Sequence, residues 1–136
     1  MKAVREVMKE NVLTIEADDT IKRAAQTMSD NDVGCLIVME NGKPVSIITE
    51  RDIVFKIIAK EKPVSSKVRE AMSPKLISIG PDDTIDQAAN LMKRHGIKKL
   101  PVISYDKLIG IITSTDITAI QPQILDEYRK LLIVND

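Results

Sequence analysis

The sequence predicts an α/β (α+β) fold made of one unit written twice, each copy running strand, helix, strand, strand, helix. Three observations predict it. Residues 4–53 align without a gap to residues 68–117, and 20 of the 50 pairs are identical; a pattern repeated at a fixed offset marks an internal duplication. Within each copy, short apolar runs alternate with apolar residues at helical spacing. Finally, a copy of about 50 residues with three short strands can hardly bury its apolar face alone. Two copies can cover each other as one domain with pseudo-twofold symmetry.

The elements follow in order. Val4-Arg5-Glu6-Val7-Met8 and its counterpart Val68-Arg69-Glu70-Ala71-Met72 read as a short helical turn, the second ended by Pro74. Residues 12–15 and 76–79 read as short strands. Asp18-Asp19-Thr20 and Asp82-Asp83-Thr84 supply acceptors and negative charge for a helix start. The spacing then predicts helices over 20–31 and 84–95, with Ile21, Ala24, Ala25 and Met28 on one face and Ile85, Ala88, Ala89 and Met92 on its twin. Strands are expected at 35–39 and 100–103. Each is followed by a turn, of which Asn41-Gly42 carries the strong hairpin signal. Strands at 45–48 and 108–112 then run into second helices from about Glu50 and Ser114.

The chain reads as a single module over 1–136, with repeat one about 4–60 and repeat two about 68–120. The polar segment 61–67, with one proline, reads as a linker. A C-terminal helix is expected over about 122–134. Its stripe of Ile124, Leu125, Tyr128, Leu131 and Leu132 would form a lid on the core or a contact for a second subunit.

Composition excludes several classes. Aromatic residues are 2% of the chain against 43% hydrophobic, so the core is aliphatic. Twenty basic and twenty acidic residues cancel, which counts against nucleic acid and anionic membranes as partners. Cys35 is the one cysteine and His95 the one histidine, so there is no intramolecular disulfide and no Cys/His zinc spacing. No stretch approaches a membrane span and the N-terminus lacks a signal-peptide run. A cytoplasmic, soluble protein is the expectation. No nucleophile triad, glycine-rich phosphate loop or paired catalytic carboxylates occur, so no enzyme activity is expected.

The chemistry concentrates where the last strand of each copy meets a helix. Thr49 and Thr113 place a hydroxyl there, and Asp52 and Asp116 a carboxylate three residues on. A helix start favours phosphate, and a carboxylate can accept from the two hydroxyls of a ribose. The same Thr-x-x-Asp spacing is also that of a capping box, which binds nothing. Lys98 and Lys99 precede the second copy's middle strand and could meet phosphate or simply be solvated; Gly34 and Cys35 stand there in the first copy. Arg51, at a helix start against the dipole, favours an anionic partner.

Taken together, Met72-Ser73-Pro74, Asp82-Asp83-Thr84-Ile85 with Ala88, Ala89 and Met92, Ile97-Lys98-Lys99-Leu100-Pro101-Val102, and Gly110-Ile111-Ile112-Thr113-Ser114-Thr115-Asp116-Ile117 resemble the cystathionine-β-synthase (CBS) domain. The first copy matches through Met8, Asp18-Asp19-Thr20-Ile21, Ala24-Ala25, Met28, Val33-Gly34 and Ile47-Ile48-Thr49-Glu50-Arg51-Asp52-Ile53. It departs at Ile37 and Ser46, where the family favours Pro and Gly and the second copy has Pro101 and Gly110. Two such motifs in tandem resemble a Bateman module.

The resemblance implies two βαββα repeats packed through their sheets, with two clefts between them for adenosyl ligands: AMP, ADP, ATP, S-adenosylmethionine or NAD. It assigns ribose and phosphate contacts to Thr49, Arg51, Asp52, Lys98, Lys99, Thr113, Ser114 and Asp116. It assigns the adenine frame to Val12, Leu13, Thr14, Val33, Leu76, Ile77, Ser78 and Ile97. It further implies a homodimer and regulation of another protein in trans, with no cofactor required. The alternatives are an oligomerisation module with vestigial clefts and, against the charge balance, nucleic-acid binding.

Overall fold

The computed structural model describes residues 2–121. The chain divides into two compact units, one of Val12–Leu76 and a composite one of Met1–Asn11 with Ile77–Asp136.

In the Val12–Leu76 unit, β1 (Thr14–Glu16), β2 (Cys35–Glu40) and β3 (Lys43–Thr49) form a three-stranded sheet in the order β1-β2-β3. β1 runs parallel to β2, pairing Ile15 with Val38, and β3 runs antiparallel, pairing Leu36 with Ile48. The hairpin turn places Asn41 and Gly42 at φ +53° and +76°. Such left-handed pairs match the strand twist, and Asn-Gly adopts them at least cost. α1 (Ile21–Asn31) starts at Thr20, whose hydroxyl accepts from the Arg23 N–H at 3.1 Å. It buries Ile21, Ala24 and Met28. Ala25, expected on the same face, is exposed. Ile15, Leu36, Val38, Ile48, Ile53 and Ile57 complete this aliphatic core. Fully burying each such side chain contributes about 1.5–3 kcal/mol.

After β3, α2 (Glu50–Asp52) passes directly into a π-helical segment, Ile53–Ile58, rather than continuing as the expected α-helix. The wider turn keeps Ile53 and Ile57 inside and leaves Val54, Phe55 and Ile58 on the surface. The segment expected as a linker is pinned to this unit. Ile21 N–H donates to the Ser66 carbonyl at 2.8 Å, and Val68 and Arg69 N–H donate to Asp19 and Ala17 at 2.8 and 2.9 Å. The 3-10 turn Val68–Glu70 follows. Its Arg69 guanidinium grips Asp18 at 3.0 Å and also Glu40. The hydrogen bond and charge of Arg69 hold the Asp18 carboxyl below the usual carboxylate range. The same two carboxylates push Arg69 still higher.

The composite unit repeats the plan with its own opening turn, Val4–Glu6. Val4 and Arg5 N–H donate to Asp83 and Pro81 at 2.8 and 3.0 Å, and Lys9 exchanges two 2.9 Å backbone bonds with Ile111. α3 (Ile85–His95) is capped by Thr84 and closed by left-handed Gly96. The β4 (Lys99–Ser104) and β5 (Lys107–Thr113) strands form an antiparallel pair, and α4 (Ser114–Ile120) follows. The core holds Val4, Ile85, Met92, Leu100, Val102, Ile112 and Ile117.

Two strand expectations need correction. The first strand begins at Thr14, not at 12, with Val12 and Leu13 half-buried before it. The twin strand expected over 76–79 reduces to a single bridge, Ile79 to Val102. Pro101 and Pro81 supply the physical reason. In the other unit Ile37 N–H donates to Leu13 O at 3.1 Å and Ala17 N–H to Met39 O at 3.0 Å, whereas the prolines at the two matching places have no N–H to give. The expected helix over 122–134 lies outside the described residues.

Gly110 makes room for the N-terminal segment. A Cβ there would stand 2.6 Å from Met8 Sδ and 2.9 Å from Lys9 O. Ser46 occupies the matching place in β3, where its hydroxyl instead donates to Ser73 O at 2.6 Å.

Candidate functional site

Both strand-to-helix junctions fold the same way. Thr49 is the N-cap of α2, and its Oγ1 accepts from the Asp52 N–H at 3.2 Å. Asp52 Oδ2 accepts in return from the Thr49 N–H at 2.9 Å. Thr113 and Asp116 repeat the pair at the same two distances, 3.2 and 2.9 Å. The capping box is therefore real at both places, and it fixes each carboxylate through one oxygen only. The other oxygen, Oδ1, faces a lysine: Lys56 Nζ at 3.0 Å for Asp52 and Lys9 Nζ at 3.5 Å for Asp116. The two aspartate side chains are 14% and 13% exposed, so each offers one edge to a ligand.

Neither lysine was singled out by the sequence reading. Lys56 was legible as an i,i+4 partner of Asp52. Lys9 was not, because its repeat counterpart is Ser73 and its contact with Asp116 is long-range.

The strands bring further expected residues to the composite junction. Lys99 pairs with Thr113 across β4 and β5, and Ser114 N–H donates to the Lys98 carbonyl at 2.9 Å. Ser114 is buried, and Lys98 and Lys99 are half-buried. In the Val12–Leu76 unit the same places hold Cys35, paired with Thr49, and Gly34, whose carbonyl accepts from Glu50 N–H at 3.0 Å. Cys35 is half-buried at the start of β2. Arg51 is exposed and lies over the Phe55 ring, 4.2 Å from its centroid. Such a stack is a weak cation–π contact at the surface.

The residues expected around adenine divide between the units. Val12, Leu13, Thr14, Val33 and Leu76 belong to one, and Ile77, Ser78 and Ile97 to the composite one. Ile77 and Ile97 pack half-buried against the composite core, while Thr14, Val33 and Ser78 are exposed. Among the described residues no group of three or more His, Cys, Asp or Glu side chains is placed to hold a metal. No helix among them is long and apolar enough to cross a membrane.

A duplicated α/β unit with a Thr/Asp-capped junction in each copy defines a tandem-repeat module. The CBS domain model matches twice, over residues 4–59 and 68–122. The chain belongs to the CBS-domain family. It is 32% identical over 121 residues to the CBS domain-containing protein YhcV of Bacillus subtilis (strain 168), covering 89% of this chain and 86% of that protein. It is 30% identical over 125 residues to hypoxic response protein 1 of Mycobacterium tuberculosis, covering 90% and 87%. Among solved structures it resembles the CBS domain pair of protein MJ0100 in complex with 5′-methylthioadenosine and S-adenosyl-L-methionine. That likeness has a TM-score of 0.81 and 27% identity, covering 90% of this chain and 98% of that one. The CBS domain structure NE2398 is similar at a TM-score of 0.82 and 29% identity, over 89% and 98%.

Proposed function

We infer that this chain is a regulatory module that binds an adenosyl ligand at its Thr/Asp junctions and passes the signal to another protein in trans, without catalysing a reaction. One observation carries the reading. The Thr/Asp geometry is kept at identical distances in both copies, in a chain whose structural relative is a complex with two adenosyl compounds. The cap occupies Oδ2 and leaves Oδ1 to exchange its lysine for a ribose hydroxyl. Hydrogen bonds to a charged group contribute about 1.5–3 kcal/mol each. The ligand class is AMP, ADP, ATP, S-adenosylmethionine or NAD, which implies a cytoplasmic setting.

A thermal-shift panel of these compounds with a guanine nucleotide control tests the reading. A ligand at about 100 times its dissociation constant adds roughly 2.7 kcal/mol, so one adenosyl compound should raise the melting temperature by several degrees. No rise with any of them refutes it.

A second property, self-association as a homodimer, is favoured by a specific surface. Val54, Phe55 and Ile58 are 51%, 52% and 55% exposed on one π-helical segment, and an apolar cluster of this kind marks an interaction face. Phe55→Glu with Ile58→Glu should halve the mass seen by light scattering. An unchanged mass removes the support.

A further inference from the structure

Asp52 and Asp116 are the same residue of the repeat, but their free oxygens are held unequally. Lys56 Nζ stands 3.0 Å from Asp52 Oδ1 and donates also to the Ala71 carbonyl at 3.1 Å. Thr49 Oγ1 adds a third donation to the same carboxylate, at 3.1 Å to Oδ2. Lys56 is therefore tied down at two acceptors, and Asp52 receives three donors where Asp116 receives two. Lys9 Nζ lies 3.5 Å from Asp116 Oδ1, beyond the range of a firm N–H···O bond. Among the described residues its ammonium has no second acceptor, and its side chain is 68% exposed. A pair of that kind is weak and easily parted.

We propose that the two junctions are unequal binding sites: Asp116 takes the ribose, Lys9 swings from Oδ1 to the ligand's phosphate, and Asp52 stays committed to Lys56. This rests on the adenosyl reading above and sharpens its ligand class. The exchange conserves charge pairing only when the ligand brings an anion for the released ammonium. Lys98 and Lys99 flank the same junction, where the other unit has Gly34 and Cys35. The favoured ligand is thus a phosphate-bearing adenosine, in preference to neutral adenosine or the sulfonium of S-adenosylmethionine.

Titration calorimetry of the full chain with AMP and with adenosine tests this. The expected result is one AMP per chain. Asp116→Asn should weaken AMP binding by roughly tenfold or more, as for a lost bond to a charged group. Lys9→Met, at an exposed position, should weaken AMP about three- to fivefold and leave adenosine within about twofold. Two equal AMP sites, or Lys9→Met weakening both ligands alike, would overturn the inference. The wild-type stoichiometry and Lys9→Met decide it even if Asp116→Asn fails to fold. If the wild-type chain binds neither compound, this inference fails; the adenosyl reading fails with it only if the thermal-shift panel also shows no response.

Discussion

Gly110→Ala is the sharpest probe of how the N-terminal segment is held. The added Cβ would lie 2.6 Å from Met8 Sδ, 3.1 Å from Met8 Cγ and 2.9 Å from the Lys9 carbonyl oxygen. The methionine is flexible and can swing aside. The carbonyl cannot, because Lys9 and Ile111 exchange two backbone hydrogen bonds of 2.9 Å. The φ of Gly110 is not positive, so alanine meets no backbone strain there and the cost is steric. Overpacking costs about 1–3 kcal/mol, and a loosened hydrogen bond adds about 0.5–1.5 kcal/mol. A central figure of about 2 kcal/mol, at roughly 3 °C per kcal/mol for a chain of this size, lowers the melting temperature by about 6 °C. Thermal and urea unfolding followed by circular dichroism measure it. The variant should also expose the first ten or so residues to limited proteolysis while the rest stays resistant. A melting temperature within about 1 °C of wild type, with the N-terminus still protected, refutes the docking of residues 2–9 on β5.

Two further outcomes follow from single residues. Pro101→Ile restores the donor that Ile37 supplies in the other unit, so the new amide should bond to Ile77 and become protected in hydrogen exchange; exchange at the unfolded rate refutes the account of the missing strand. The Asp18 carboxyl, depressed by Arg69, stabilises the fold fully above its unfolded value near about pH 4 and loses that contribution as pH falls through its lower folded value. Between about pH 5 and pH 3 the wild-type melting temperature should therefore fall further than that of Asp18→Asn; parallel curves refute the Arg69 pairing.

Local chemistry made much of this fold legible. Helix starts at Thr20 and Thr84 are announced by their side chains, and the Asn41-Gly42 turn by its left-handed backbone. The apolar spacing gave Ile21, Ala24 and Met28 as core, and only Ala25 lies outside it. The lost strand before Ile79 was readable in principle, since Pro101 cannot donate to a neighbour. The π-helical turn after Asp52 carries no comparable mark. Which residues meet Val4–Glu6 and Val68–Glu70 was not legible either. Both copies carry Val-Arg-Glu before an Asp-Asp-Thr start, so either pairing satisfies the same pattern. The chain in fact joins Arg5 to Asp82 and Arg69 to Asp18. That choice brings Lys9 to Asp116, and for this reason half of the candidate site could not be read from spacing.

The ribose itself offers the most direct test of the central claim, that an aspartate carboxylate at a capped junction holds the vicinal hydroxyls of an adenosyl ligand. AMP and 2′-deoxy-AMP should be titrated side by side into the unmodified chain. If the carboxylate accepts from both hydroxyls, loss of one weakens binding by roughly tenfold or more. Equal affinity for the two nucleotides would contradict the account.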